Sequence, residues 1–187
     1  MKNSFFFNIK TSTIDQTIME TEQFVFFYGH HPNSLGIHVF SQWYSVSFVE
    51  YFDKETKIKY SNMEQYMMAH KALLFGDSKY YKKIMSTTDP YLIKKYGRLI
   101  RDFDEKIWNQ YKFDIIVNGN KLKFKQNPKL LKRLLETKNK ILVEASPFDK
   151  IYGCGLNTKT ALKTDQSQWP GTNLLGKALM EVRAFYL

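Results

Sequence analysis

Hydrophobic positions change their spacing along the chain, and the first folded part has the pattern of strands. Aromatic and β-branched residues dominate residues 24–28, 45–52 and 58–60, a composition typical of β-structure. The Asp-Lys-Glu run at 53–55 suits a hairpin turn between the last two stretches. We therefore predict a small antiparallel sheet near the start of the domain.

The middle of the chain has helical spacing, with capping residues before each apolar run. Helices are predicted from Ser61 to about residue 75, over 80–85, and from Pro90 to a break near Gly97. Two more begin after Asp104 and at 127–128, and a last one, capped by Asn173, runs to about residue 185. Residues 141–145 fit a buried strand, and 146–168 read mostly as loop. The fold class is α+β, mostly helical.

The length of 187 residues suits one domain with a sizeable core. Residues 1–23 are polar and aperiodic after three phenylalanines at 5–7, so we predict an N-terminal extension there and a single domain over 24–187. The apolar run at the start is too short for a signal peptide, and no segment approaches a membrane span. The cytosol is the simplest location.

The charge balance is strongly basic, with 28 Lys and Arg against 18 Asp and Glu, a net +10. This excess fits a polyanionic partner or simply a Lys-rich proteome. Seven lysines cluster late in the chain and form either a solvated face or a track for a phosphate backbone: Lys121, Lys123, Lys125, Lys129, Lys132, Lys138 and Lys140. One cysteine and four histidines without zinc-site spacing predict no disulfide, metal or redox cofactor.

Two carboxylates are candidates for chemistry. Glu64 shares an apolar helix stripe with Lys71, so it is either a desolvated acid or base, or the N3 residue of a capping box with Ser61. Asp149 lies in a loop containing Gly153 and follows the predicted strand; it either serves function or forms an Asx-turn. In the same region Glu144 fits buried structural support.

Further candidates lie on or beside the helices. Trp108 occupies an aromatic helix stripe, where it either fills the core or provides a platform for a ring. Arg98 follows the helix break at Gly97, where a guanidinium either binds phosphate or is merely solvated.

Seven stretches together resemble the NADAR (NAD and ADP-ribose linked), or YbiA-like, family, from about residue 24 to the C-terminus. They are FFYG (26–29), FSQWYSVSF (40–48), MEQYMMAHKALLFGD (63–77), KKYGRLIRDFDEKIW (94–108), KFKQNPKL (123–130), LVEASPFDKIYGCGL (142–156) and WPGTNLLGKALMEVR (169–183). One departure is that the family's usual Tyr-Pro-x-Pro-Phe reads YSVSF at 44–48, without prolines, which bears on substrate fit.

The resemblance implies an N-glycosidase, with the family's important glutamate, tryptophan and aspartate at Glu64, Trp108 and Asp149. We expect Glu64 and Asp149 to be catalytic, with Lys71 either a Schiff-base nucleophile or merely an ion-pair partner of Glu64. Substrate binding is assigned to Trp108, Arg98, Tyr152 and Gly153.

The resemblance also implies the substrates. Removal of ADP-ribose from guanine in nucleic acid is expected, with ADP-ribose as product, and the charge favours this substrate. The alternative is a phosphorylated ribosylamino-pyrimidine of riboflavin synthesis. A module that binds ADP-ribose or nucleic acid without turnover is the alternative from another class, and a purely structural protein is a further one.

Overall fold

The computed structural model describes residues 18–187. Its strands are β1 (Met19–Glu20), β2 (Phe24–Phe27), β3 (Phe48–Tyr51), β4 (Lys57–Tyr60) and β5 (Ile141–Glu144). Its α-helices are α1 (Met63–Leu74), α2 (Ser78–Met85), α3 (Pro90–Gly97), α4 (Glu105–Lys125), α5 (Pro128–Leu135), α6 (Thr158–Lys163) and α7 (Leu174–Phe185), with short 3-10 helices at Ile37–Phe40 and Gln166–Gln168. The predicted α+β, mostly helical class is confirmed.

The strands form two small sheets. β3 and β4 make the expected antiparallel hairpin, whose turn is closed by Asp53 Oδ1 accepting from the backbone N–H of Glu55 at 2.8 Å. The other sheet has the order β1-β2-β5; β1 is antiparallel to β2, but β5 runs parallel to it. The predicted antiparallel sheet is present as the β3–β4 hairpin. The parallel pairing of β5 with β2 was not predicted, and it arises because the intervening helices form the long crossover that brings β5 back in the same direction.

Helix α1 is the centre of the fold and packs against α2, α3 and α4. Both of its faces are apolar and both are buried over most of its length, as the sequence predicted, although Leu73 near its end is exposed. The crossing with α3 is close, since a Cβ on Gly97 would lie 2.0 Å from the Sδ of Met68. This contact sets the position of α3 and its basic side chains relative to the start of α1.

Aspartate caps begin α3 and α4 as predicted. Asp89 Oδ1 accepts from the N–H of Tyr91 at 2.9 Å, and Asp104 Oδ1 accepts from the N–H of Lys106 at 2.7 Å. The carboxylates satisfy amides that have no partner within the helix, which fixes where each helix starts.

Asn173 precedes α7, but its side chain does not cap that helix. Its Oδ1 accepts from the N–H of Glu144 at 3.0 Å, and its Nδ2 donates to the carbonyl of Leu142 at 2.8 Å. The predicted capping role was wrong. Asn173 joins α7 to the end of β5 instead, because its amide pairs with the free backbone groups on that edge of the strand.

Lys123 departs from the predicted lysine face. It is fully buried, and its Nζ donates to the carbonyls of Val39 at 2.6 Å and Ser41 at 3.2 Å. Burial lowers the pKa of its ammonium to about 7. Lys123 therefore holds the segment that leads into Gln42 and Trp43, and does not belong to a solvated surface.

The predicted N-terminal extension contributes one strand to the fold. Within it, β1 pairs with β2, and Glu20 binds Arg133 at 2.7 Å and Lys140 at 2.8 Å; residues 1–17 lie outside the described residues. Residues 146–168 are irregular except for α6 and one 3-10 turn. Over residues 18–187, none of the helices combines the length and apolar character that a membrane crossing requires.

Candidate active site at the start of helix α1

Glu64 lies in the first turn of α1, but it takes no part in capping the helix. The cap is Asn62, whose Oδ1 accepts from the N–H of Gln65 at 2.8 Å. Gln65 Oε1 in turn accepts from the N–H of Ser61 at 2.8 Å. The capping-box interpretation of Ser61 and Glu64 was therefore wrong by one residue, and the Glu64 carboxyl group is left for another role.

Trp43 is the direct side-chain partner of Glu64. The residue Glu64 is only 3% exposed, and its Oε2 accepts from Trp43 Nε1 at 3.3 Å. Its backbone N–H donates to the carbonyl of Gln42 at 3.0 Å. The loop before β3 and the start of α1 are thus joined at both the backbone and the carboxyl group.

Burial raises the pKa of Glu64 to about 7. The positive charges of Lys94 and Arg98 and the Trp43 hydrogen bond oppose this rise, while the negative charge of Asp149 adds to it. A carboxyl group that titrates near neutrality can hold or release a proton under ordinary conditions, which suits acid–base chemistry.

Lys71 lies two turns further along α1 and does not form the predicted ion pair with Glu64. Its Nζ donates to the carbonyl of Gly97 at 3.0 Å and lies 4.0 Å from the ring centre of Phe103. Burial lowers the pKa of its ammonium, and the charge of Glu64 opposes that shift. Glu64 and Lys71 therefore interact electrostatically without direct contact.

Asp149 reaches the same site from the loop after β5. Its Oδ1 accepts from the N–H groups of Ile151 at 2.9 Å and Tyr152 at 2.8 Å, so the Asx-turn interpretation is confirmed. The turn also fixes the orientation of the carboxyl group, whose charge is felt by Glu64, Glu144 and Tyr152. The Asx-turn at Asp149 is therefore compatible with a functional role for its carboxyl group.

The glycines in this loop allow tight packing of backbone on backbone. A Cβ on Gly153 would lie 2.8 Å from the carbonyl oxygen of Asp149 and 3.0 Å from that of Glu144. Gly171, from the segment before α7, packs against the other side, with its N–H donating to Cys154 O at 2.9 Å. The space beside Gly153 is thus filled by protein, and its predicted contact with substrate stays a prediction.

Tyr152 lies close to these carboxylates, and Trp108 lies near Tyr152. Trp108 is 6% exposed and belongs to the hydrophobic core, and its side chain lies near that of Tyr152. Burial raises the pKa of Tyr152 well above its usual range, helped by the negative charge of Glu64. The core interpretation of Trp108 holds, and its position next to Tyr152 also places it at the edge of the site.

The basic groups near Glu64 come from α3. Lys94 lies with its Nζ 5.7 Å from the ring centre of Trp43, and Arg98 is an exposed residue at the end of the helix. Lys121, the first of the late lysines, lies thirteen residues, or about 20 Å along α4, from Trp108. The cations that act on the Glu64 carboxyl group include Lys94 of α3 and Arg98, the residue that follows this helix.

Sequence reasoning missed two residues of this site as functional groups. Trp43 lies in a stretch that gave no periodic signal, and Glu144 was interpreted as structural support. The Oε2 atom of Glu144 is buried and has no hydrogen-bond partner within residues 18–187. A glutamate that ends a buried strand is a signal that could have singled out Glu144. Over the same residues, no three His, Cys, Asp or Glu side chains form a group able to hold a metal ion.

Replacing Trp43 with phenylalanine should raise the pKa of Glu64 by about one unit, because the ionised carboxylate loses a hydrogen-bond donor. The measurement is the titration midpoint of the Glu64 side-chain carbon by NMR. Trp169→Phe is the matched control, since that indole donates to the carbonyls of Ala161 and Thr164 instead. An unchanged midpoint in Trp43→Phe would show that the hydrogen bond has no influence on Glu64.

The sequence was also compared with known proteins. It matches the NADAR domain over residues 26–185. It is 54% identical to the N-glycosidase R617 of Acanthamoeba polyphaga mimivirus over 165 residues, which are 88% of this chain and 97% of that protein. A shorter match is to the chloroplastic riboflavin biosynthesis protein PYRR of Arabidopsis thaliana, with 35% identity over 80 residues. It covers 43% of this chain and 12% of that protein.

The fold has a solved counterpart. The NMR structure of the E. coli protein YbiA matches with a TM-score of 0.68 at 24% identity, covering 91% of this chain and 88% of that one. The resemblance seen in the sequence motifs is confirmed by both the domain match and this fold. The chain belongs to the NADAR, YbiA-like family.

Proposed function

We propose that this protein is an N-glycosidase whose reaction takes place at Glu64. The observation that carries the proposal is a buried carboxyl group that titrates near pH 7 and lies between the Asp149 loop and the basic end of α3. The mimivirus relative, named as an N-glycosidase and 54% identical, supports the reaction type.

The chemistry of the reaction suits this pair of carboxylates. Breaking the bond between ribose and nitrogen builds positive charge on the sugar, while the departing nitrogen gains an electron pair and needs a proton. In the proposal, Glu64 as carboxylate stabilises the sugar cation and takes a proton from the attacking water. Asp149, fixed by its two backbone donors, adds negative charge on the other side of the sugar.

Substrate binding is assigned to the groups around these carboxylates. Trp108 and Tyr152 supply aromatic surface for the substrate, and Gly153 follows Tyr152 in the loop. Arg98 is exposed at the end of α3, next to Lys94, where a guanidinium can bind a phosphate or diphosphate group. The mechanism assigned to these residues uses no cofactor.

Lys71 provides a variant of the mechanism. Its desolvated amine loses its proton more readily than an exposed lysine and could attack the aldehyde of the opened sugar, forming an imine and releasing water. Borohydride added during turnover would reduce the imine to a stable adduct. Lys71→Met is the control, which should form no adduct. If the intact mass of the wild-type chain shows no adduct either, the Schiff-base mechanism is excluded.

The preferred substrate is nucleic acid that carries ADP-ribose on guanine, with ADP-ribose as the released product. The net charge of +10 and the basic end of α3 support a polyanionic substrate. The alternative, a ribosylamino-pyrimidine phosphate of riboflavin synthesis, is supported by the partial match to PYRR. A non-catalytic module that binds ADP-ribose or nucleic acid is the third candidate.

Both substrates should be incubated with the protein side by side and the products identified by mass spectrometry. We expect release of ADP-ribose from the oligonucleotide, with affinity for it falling at least about tenfold between low and physiological salt. Turnover of the pyrimidine compound alone would favour the riboflavin alternative. Binding of either compound without turnover would favour the module, and no binding of either would contradict all three.

A further inference from the structure

The backbone of Glu144 is held by hydrogen bonds at both its N–H and its carbonyl group. It is the last residue of β5 and pairs with Phe27 of β2. Its N–H donates to Asn173 Oδ1 at 3.0 Å, and its carbonyl accepts from the N–H groups of Ser146 and Cys154, both at 2.9 Å. The Cα–Cβ direction, and hence the region that the side chain can reach, is fixed by these bonds.

One oxygen of the Glu144 carboxyl group has no hydrogen-bond partner in the described part of the protein. Oε2 of Glu144 is buried and has no hydrogen-bond partner within residues 18–187. An unpaired buried polar atom is costly, and in native structures it commonly marks a functional site. The unpaired oxygen of Glu144 is therefore available to a substrate group.

The groups that face Glu144 are those of the Glu64 site. Burial raises the pKa of Glu144 to about 8, the charges of Asp149 and Glu64 add to the rise, and Lys94 opposes it. The titratable and charged groups around it are Glu64 of α1, Lys94 of α3, and Asp149, Tyr152 and Cys154 of the loop. Two carboxyl groups in one site, both kept protonated to higher pH by burial, provide a proton donor and a proton acceptor for one reaction.

We propose that Glu144 is the general acid that protonates the departing nitrogen, a role that rests on the proposed N-glycosidase function. The C1′–N bond breaks, and its electron pair stays on nitrogen, which takes the proton of the Glu144 carboxyl group. Water then forms the C1′–O bond and gives a proton to the Glu64 carboxylate. That proton returns to Glu144 through solvent, so the cycle closes without any other reactant.

With Glu144 as the general acid, Asp149 does not need to donate a proton. One of its oxygens already accepts two backbone hydrogen bonds, which hold the group in place as an acceptor. Glu144 has an uncommitted oxygen in the same site. The proton donor is therefore Glu144, and Asp149 orients the loop and balances positive charge on the sugar.

The test compares Glu144→Gln and Glu144→Asp with wild type in pH profiles of kcat, on the oligonucleotide and the pyrimidine compound. Glu144→Gln should lose about 100-fold or more in kcat, with substrate Kd within about threefold. Wild type should lose activity as pH rises through about 8, and the residual activity of Glu144→Gln should not. Glu144→Asp should retain part of the activity together with the alkaline decline. Glu181→Gln, an exposed glutamate of α7, is the matched control and should behave as wild type.

Several outcomes would overturn this role. An active Glu144→Gln with an unchanged alkaline decline excludes Glu144 as the acid and leaves the N-glycosidase function intact. Absence of an alkaline decline in wild type between about pH 7 and 9 excludes it even if the variants do not fold. A wild-type protein that cleaves neither compound contradicts the proposed function itself, and the role of Glu144 with it.

Discussion

Glu64→Gln is expected to reduce kcat by about 1000-fold or more while the protein stays folded and still binds substrate. The substitution keeps the size of the side chain and an oxygen that can accept from Trp43 Nε1. It removes the negative charge that stabilises the sugar cation and the base that receives the proton from water. The measurement is kcat on the preferred substrate together with substrate Kd, and activity within a few-fold of wild type would contradict the assignment.

The same variant should be more stable than wild type at pH 8. The pKa of Glu64 is about 7 in the folded protein against 4.5 for the free group. Between these values the unfolded chain releases its proton first, so wild type loses stability as pH rises from about 4.5 to about 7. The loss is about 3 kcal/mol, and the Glu64→Gln variant, which has no proton to release, should escape it.

Denaturant unfolding at two pH values shows whether ionised Glu64 destabilises the fold or instead stabilises the start of α1. Glu64→Gln should gain stability at pH 8 and little at pH 4, and Glu181→Gln should be neutral at both. A role for Glu64 in holding the start of α1 would give the opposite sign at pH 8, because a stabilising contact would be lost. Activity lost together with stability gained is the expected signature of a functional buried carboxyl group.

Gly171→Ala is expected to destabilise the fold by about 3 kcal/mol and to lower activity at the same time. A Cβ at this position would lie 2.5 Å from the carbonyl oxygen of Gly153 and 2.7 Å from the nitrogen of Gly155. These are backbone atoms of the loop that carries Asp149, so relief of the collision must move that loop. The measurements are the free energy of unfolding and kcat under conditions where the variant is folded.

Gly29→Ala is the control for the general effect of replacing glycine. Gly29 has a φ of 74°, and no atom lies within 4 Å of the place that a Cβ would take, so alanine meets backbone strain alone. A cost of about 1 kcal/mol with normal activity is expected there. Equal behaviour of the two variants would show that close packing at Gly171 does not position the Asp149 loop.

Local signals predicted most of the fold. The helix starts at Asp89 and Asp104 followed from capping chemistry, and the buried strand at 141–145 from its apolar run, because both effects act between near neighbours in sequence. The direction of β5 relative to β2 was not predictable from local pattern, since it depends on the path of the intervening helices. Lys123 was wrongly placed on the lysine face for a related reason. Nothing near it in the sequence shows that its ammonium group binds the carbonyls of Val39 and Ser41.

The site was predicted in part. Helical spacing placed Glu64 and Lys71 on one stripe, but it could not show that Lys71 turns to Gly97, because the choice depends on where α3 crosses α1. Spacing also could not bring Trp43 and Glu144 to Glu64, since they come from a loop and a strand far away in sequence. The family resemblance supplied the link between Glu64 and Asp149 that periodicity alone left open.

The most direct test of hydrolysis at Glu64 is a single-turnover reaction in water labelled with heavy oxygen. Wild-type protein and an oligonucleotide that carries ADP-ribose on guanine should give unmodified oligonucleotide and ADP-ribose with one heavy oxygen on the ribose, and Glu64→Gln should give neither product. Release of ADP-ribose by wild type without the label, or equal release by Glu64→Gln, would contradict hydrolysis of the N-glycosidic bond at Glu64.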